Sequence, residues 1–194
     1  MPLIILLSEM RIGFEGESAT HNISYVGGIV GEIRGNKSSI FQSNFSGTII
    51  ANSSYSNFIG GIAGQIHENV SIDQSIFSGL IKGYSYVGGI VGRVKYTNSN
   101  VDGDSISNCY VEKNSQINGR SYIGGIIGDY EYNDYNTRFL LKNNYSAGAV
   151  EATSSNSNGG IDGENHSNVL REGNLFDSEV CNNNESNNKK CWLN

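Results

Sequence analysis

Four times along this 194-residue chain an aromatic and an aliphatic residue are followed by two glycines, two aliphatic or small residues and a third glycine. The copies read "YVGGIVG" from Tyr25, "FIGGIAG" from Phe58, "YVGGIVG" from Tyr86 and "YIGGIIG" from Tyr122, with a worn fifth copy, "SNGGIDG", from Ser157. Their steps are 33, 28, 36 and 35 residues, and self-similarity at a nearly fixed period marks an array of like structural units. A second marker keeps the same period. Phe14, Phe45, Phe77, Tyr110, Tyr145 and Phe176, mostly followed by small residues, are spaced 31, 32, 33, 35 and 31 apart.

Periods of this length also belong to arrays of helix pairs, but the content of each unit excludes them. The chain has 25 glycines and a single proline. Ile and Val run through stretches such as "GTIIA" and "GLIKGYSYVGGIVGRV", and turn-forming clusters such as "ANSSYSN" and "KYTNSNVDGDS" separate them, so the units read as strands and turns. Strand side chains alternate between faces. Taken as one strand, the first copy places Tyr25, Gly27, Ile29, Gly31 and Ile33 on a face that points into a core, and Val26, Gly28, Val30 and Glu32 on a face covered over most of its length. Glycine weakens a strand interior unless another backbone or a large ring needs its space. The structural repeat therefore centres on Gly27, Gly28 and Gly31, Gly60, Gly61 and Gly64, Gly88, Gly89 and Gly92, and Gly124, Gly125 and Gly128. Units stacked so that glycine lies on glycine predict an all-β, parallel β-helix-like solenoid of about five to six coils, each of roughly 31–36 residues, over residues 1–180. A polar tail or cap, residues 181–194, breaks the period.

Charge narrows the partners. The net charge is −6 and the longest basic run is Lys189-Lys190, so the basic stripe that a phosphate backbone requires is missing and nucleic acid is not expected. Cys109, Cys181 and Cys191 are too few and too irregular for a disulfide framework or a zinc site. Cys109 reads as a small buried hydrophobe, and for Cys181 and Cys191 both a loop-closing disulfide and free thiols stay open. The apolar run in "MPLIILLSEMR" is too short for a signal-peptide core or a bilayer span; no membrane span is expected.

The motif series resembles the GLUG-type repeat, a Gly-Leu-any-Gly motif preceded by an aromatic, an aliphatic and Gly, found in bacterial surface adhesins and in non-catalytic regions of secreted IgA-cleaving peptidases. The resemblance runs over nearly the whole chain, with Ile in place of Leu and with Asp162 in the worn copy where an aliphatic stood, which suggests a terminal, capping unit. It implies an extracellular or cell-surface, β-rich presentation module of a longer chain, with no catalytic residue in the motif to carry over. "LLSEMRIGFEGE" looks like the end of a unit, so Met1 does not read as a natural domain start.

Candidate sites follow from what the repeat leaves over. Tyr130, Tyr132 and Tyr135, set among acids and amides in "GDYEYNDYN", suit a loop that binds glycan or protein, since a ring stacks while its phenol donates a hydrogen bond; Tyr130 falls on the core-facing parity and equally suits a core-capping role. Asp102 and Asp104 in "NVDGDS" have the spacing of a calcium loop without its remaining ligands, and turn chemistry explains them as well. No metal and no cofactor is assigned. His21, His67 and His166 lie in separate turns, with no nucleophile in a recognisable context. Eight sequons arise as expected in an Asn- and Ser-rich chain, and Asn44 and Asn144 sit beside the second marker, where amide side chains can bond along a stack. The reading is a non-enzymatic, adhesin-like scaffold whose partners are a glycan, a host or cell-surface protein and further domains of its own chain. The alternatives are a carbohydrate-active enzyme on a parallel β-helix and a structural spacer. Against the enzyme, Glu32, Asp129 and Asp162 fall at least a coil apart.

Overall fold

Each strand pairs in parallel with strands one repeat away, so the chain winds as a β-solenoid of about four turns. The computed structural model describes residues 6–13, 25–34, 37–51, 57–96, 105–132, 139–154, 158–164 and 169–177. No helix occurs among them. One coil shows the plan: Asn57–Gly60 lies in sheet 1, Ala63–Ile66 in sheet 2, Val70–Asp73 in sheet 3 and Ile76–Gly83 in sheet 4. The next coil repeats it with Ser85–Gly88, Val91–Tyr96, Ser105–Ser107, and then Tyr110–Val111 with Gln116–Gly119. Like residues fall in register, as Gly60, Gly88 and Gly124 do in sheet 1. Five to six coils were expected; sheet 4 does reach six levels, from Leu6–Gly13 to Leu175–Phe176, but among the described residues the first and last units join only some of the sheets as strands.

The glycine motif is two strands, not one. The chain bends at the second glycine and the following Ile, and a single carbonyl serves two amides there: Ile62 N and Ala63 N both donate to Ile90 O at 3.0 Å, and Ile90 N and Val91 N to Ile126 O at 3.0 and 2.9 Å. The ladder thus passes the corner without orphaning an amide. Both expected reasons for glycine hold, at different positions of the motif. A Cβ on Gly92 would strike the backbone of Phe58 and Ile59, so sheets 1 and 2 meet there backbone to backbone. A Cβ on Gly61 would sit 2.5 Å from the Phe77 ring, so the second glycine makes room for the second marker. The two sequence markers are two sides of one contact.

The motif aromatics do not face the core as strict alternation predicted. Phe58, Tyr86 and Tyr122 adopt φ of 60°, 54° and 58°, a left-handed conformation that is uncommon for bulky residues and that breaks the two-residue alternation. Tyr25 is 37% exposed, the others are half-buried, and the four rings stack at 5.7, 5.1 and 4.9 Å. A one-residue correction also applies to the second marker. Phe77 pairs in register with Val111, and Val111 with Ser146, whereas Tyr110 aligns with Ile76 and Tyr145. A slip of one residue in a strand exchanges faces, so Tyr110 and Tyr145 stack on each other, with centroids 5.5 Å apart, and leave the core position to Val111.

A third ladder turns the corner from sheet 3 into sheet 4. Gln42, Gln74, Asn108, Asn143 and Gly173, each three residues before the core position of its coil, all have φ between 49° and 62°. The residues after them are Ser43, Ser75, Cys109 and Asn144, all buried, and Asn174. Asn144 Nδ2 donates to Asn174 Oδ1 at 2.9 Å, and its own Oδ1 accepts from Cys109 N at 2.9 Å. Amide bonding along the stack is therefore present at Asn144, while Asn44 is exposed at a strand start. Cys109 is buried as expected, and burial pushes its thiol up to about 12. At the last described coil the aliphatic filling changes to charge. Asp162, in the row of Ala63, Val91 and Ile127, accepts Arg171 Nε at 2.8 Å; Arg171 stands in the row of Ile72, Ile106 and Leu141.

Candidate functional site

Sheet 2 carries the polar end of every glycine motif, and its parallel register lines those ends up. Glu32 pairs with Gln65, Gln65 with Arg93 and Arg93 with Asp129. Glu164 continues the row, because Asp162 bridges Ile127 two residues earlier. A second row beside it holds Arg34, His67, Lys95 and Glu131. Repeated structure at about 4.8 Å per coil turns a motif-terminal polar residue into a continuous strip along the solenoid.

The strip is bonded from coil to coil. Gln65 Nε2 donates to Glu32 Oε1 at 2.8 Å, and Arg93 Nε to Gln65 Oε1 at 2.8 Å. His67 Nε2 lies 2.8 Å from Glu32 Oε1 and 2.7 Å from Gln65 Nε2, and Arg34 pairs with Glu32 at 2.9 Å. Arg93 also pairs with Glu131, which Lys95 approaches to 3.4 Å. Burial works against the Glu32 charge, but the contacts with Arg34 and His67 outweigh it and hold the carboxyl below its ordinary value. Beside the strip runs the aromatic ladder: the Arg93 guanidinium lies 3.5 Å from the Phe58 ring centroid, a cation–π contact that couples the two. Because each ring covers its neighbour's face, the ladder presents ring edges rather than open faces to solvent.

At the far end two acids meet. Asp129, 7% exposed, hydrogen-bonds Glu164 of the next coil; burial first, and then that contact and the Glu164 charge, push its carboxyl up to about 7. Burial, followed by the Asp129 charge and the neighbouring Tyr122, also pushes the Tyr86 phenol up.

The expected tyrosine loop is corrected in part. Tyr130 is 2% exposed and packs edge-on against Phe139, with ring centroids 5.7 Å apart, so its ring is core and has no open face for a ligand. Tyr132 ends the strand Ile127–Tyr132, and Tyr135 lies outside the described residues, as do Asp102, Asp104, Cys181, Cys191, His21 and His166. The acids are as distant as expected for Glu32 and Asp129, which have Gln65 and Arg93 between them, and Asp162 is engaged by Arg171. Sequence reasoning passed over Glu164, although it follows the third glycine of the worn motif just as Glu32, Gln65, Arg93 and Asp129 follow theirs. Among the described residues no group of three or more His, Cys, Asp or Glu is placed to hold a metal, and no helix is long and apolar enough to cross a membrane.

The geometry defines a parallel β-solenoid repeat protein with a laddered polar strip. No family model matches the chain, and no curated protein or solved structure matches it.

Proposed function

We propose that the chain is a non-enzymatic, adhesin-like module, exported to the cell surface or beyond, that binds an extended glycan along its polar strip. The observation that carries this reading is the register of Glu32, Gln65, Arg93 and Asp129 beside Tyr25, Phe58, Tyr86 and Tyr122. Gln65 and Asp129 are buried, so a polymer laid along the solenoid meets the aromatic ladder together with the charged groups of the neighbouring row, Arg34 exposed and Lys95 and Glu131 half-buried, which suits a chain of hydroxyl-bearing units. The likeness of the motifs to the GLUG type supports a surface setting.

The test is a glycan and extracellular-matrix array probed with the folded chain and with Arg93→Gln. Glycan signals lost in the variant, with an unchanged β spectrum, support the strip as the binding face. Protein-only signals move the reading to a protein-binding adhesin. No binding by the folded chain moves it to a spacer. A second reading, a carbohydrate-active enzyme, has in its favour the raised carboxyl of Asp129, as a general acid requires, and against it the direct contact with Glu164, closer than the roughly 5–9.5 Å between the two carboxyls of glycoside hydrolases. Turnover on a polysaccharide panel that disappears in Asp129→Ala supports that reading.

A further inference from the structure

We propose that Asp129 and Glu164 form a proton-dependent clasp between the last described coil and the coil before it, closed when the two carboxyls share a proton and loosened when they do not. The inference holds whether or not the strip binds a glycan.

Sheet 2 shows why a clasp is needed. Val30–Ile33, Ala63–Ile66, Val91–Tyr96 and Ile127–Tyr132 pair as strands. Among the described residues, the last coil joins that sheet through the isolated bridge between Ile127 and Asp162. Ile161 O accepts from Ile126 N and Ile127 N at 2.7 and 3.0 Å, and Gly163 N donates to Ile127 O at 2.9 Å. Past Gly163 the row places acid on acid. In the earlier coils the same row alternates unlike partners, Glu32 with Gln65 and Gln65 with Arg93. Two ionised carboxylates have only acceptors, so a hydrogen bond between Asp129 and Glu164 requires a proton on one of them.

The surroundings do not undo this. Arg93, from the neighbouring strand, favours the Asp129 charge, but it is shared with Gln65, Glu131 and the Phe58 ring. Tyr86, from sheet 1, has its phenol held neutral by burial and by the charges of Asp129 and Glu164, and Tyr122 stacks on Tyr86. Glu131, on the same strand as Asp129, is taken by Arg93 and Lys95, and Asp162 by Arg171. Burial and Glu164 therefore prevail, and Asp129 holds its proton up to about pH 7 against an ordinary 3.8. When the coil is released the carboxyl returns to its ordinary value. Between those two values the closed state keeps a proton that the open state has lost, so the hold weakens steadily as pH rises from 3.8 to about 7 and levels off above. Sheets 3 and 4 still pair the last coil through Val169–Glu172 and Leu175–Phe176, which confines the loosening to the sheet 2 edge.

The test is hydrogen exchange of the full chain from about pH 5 to about pH 8, corrected for intrinsic rates, in wild type, Glu164→Gln and Asp129→Asn. Asp129→Asn removes the group that burial holds protonated, and Glu164→Gln sets an amide donor against Asp129 in place of the second acid. Protection of Ile127–Tyr132 and of residues 161–164, measured against Ala63–Ile66, is expected to fall about tenfold or more in wild type, to fall less in Glu164→Gln, where burial alone still raises Asp129, and to stay level in Asp129→Asn. A level wild-type profile overturns the clasp, and so does the same fall in a folded variant. If one variant fails to fold, the other decides.

Discussion

At the scale of the residue, the second glycine of each motif is the position where sequence and packing are most tightly bound. Gly61 lies under Phe77, which is 0% exposed, and its missing Cβ also leaves room for the Gly89 carbonyl of the next coil. Neither neighbour is the free end of a flexible chain. Gly61→Ala is expected to destabilise the fold by about 3 kcal/mol or more, read as a lowered urea midpoint, whereas a half-buried polar position such as Ser71 should tolerate Ala at little cost. The glycine ladder was legible because identical residues at a fixed period have few physical explanations. The left-handed aromatics were not. Nothing in "YVGG" or "FIGG" distinguishes a tyrosine or phenylalanine at positive φ from one in an ordinary strand, and one such residue is enough to move a ring from core to surface. The Gln/Asn/Gly corner was available to a closer reading, through its constant offset of three from the core position; Tyr110 and Tyr145 concealed it by standing one residue before that position.

At the scale of the element, the strip in sheet 2 couples neighbouring coils through side chains as well as backbone. Glu32 is held below its ordinary value of 4.5, so its contacts with Arg34 and His67 add stability above that value and lose it as pH falls through the depressed one. Glu32→Gln is expected to melt lower than wild type near neutrality, with the gap closing below about pH 4; thermal melts across that range check it. A gap that stays constant with pH would mean that Glu32 acts through packing rather than charge. The polar end of each motif was legible as a pattern. The pairing of Asp129 with Glu164 stood in the same pattern, each residue following the third glycine of its motif, but the wear of the fifth copy concealed it until the bridge from Ile127 to Asp162 fixed the register.

At the scale of the whole molecule, a solenoid holds together through nearest neighbours, so length can change only where no ladder runs. The corner from sheet 2 to sheet 3 shows it. It spans residues 67–69 in one coil, 97–104 in the next and 133–138 in the third, while the pairing on either side stays in step. A short Gly-Ser insert between Asn98 and Ser99 is therefore expected to leave the β spectrum and the melting temperature within a few degrees of wild type, whereas one added residue between Gly60 and Gly64 should abolish folding; circular dichroism decides both. Heredity acting on such a chain has margins it can write in, this corner and the one from sheet 4 to sheet 1, which spans residues 52–56, 84, 120 and 153–157 in successive coils, and a text it must copy faithfully. Variation among descendants should gather at those corners, and a designer wishing to graft a foreign peptide would choose the same places.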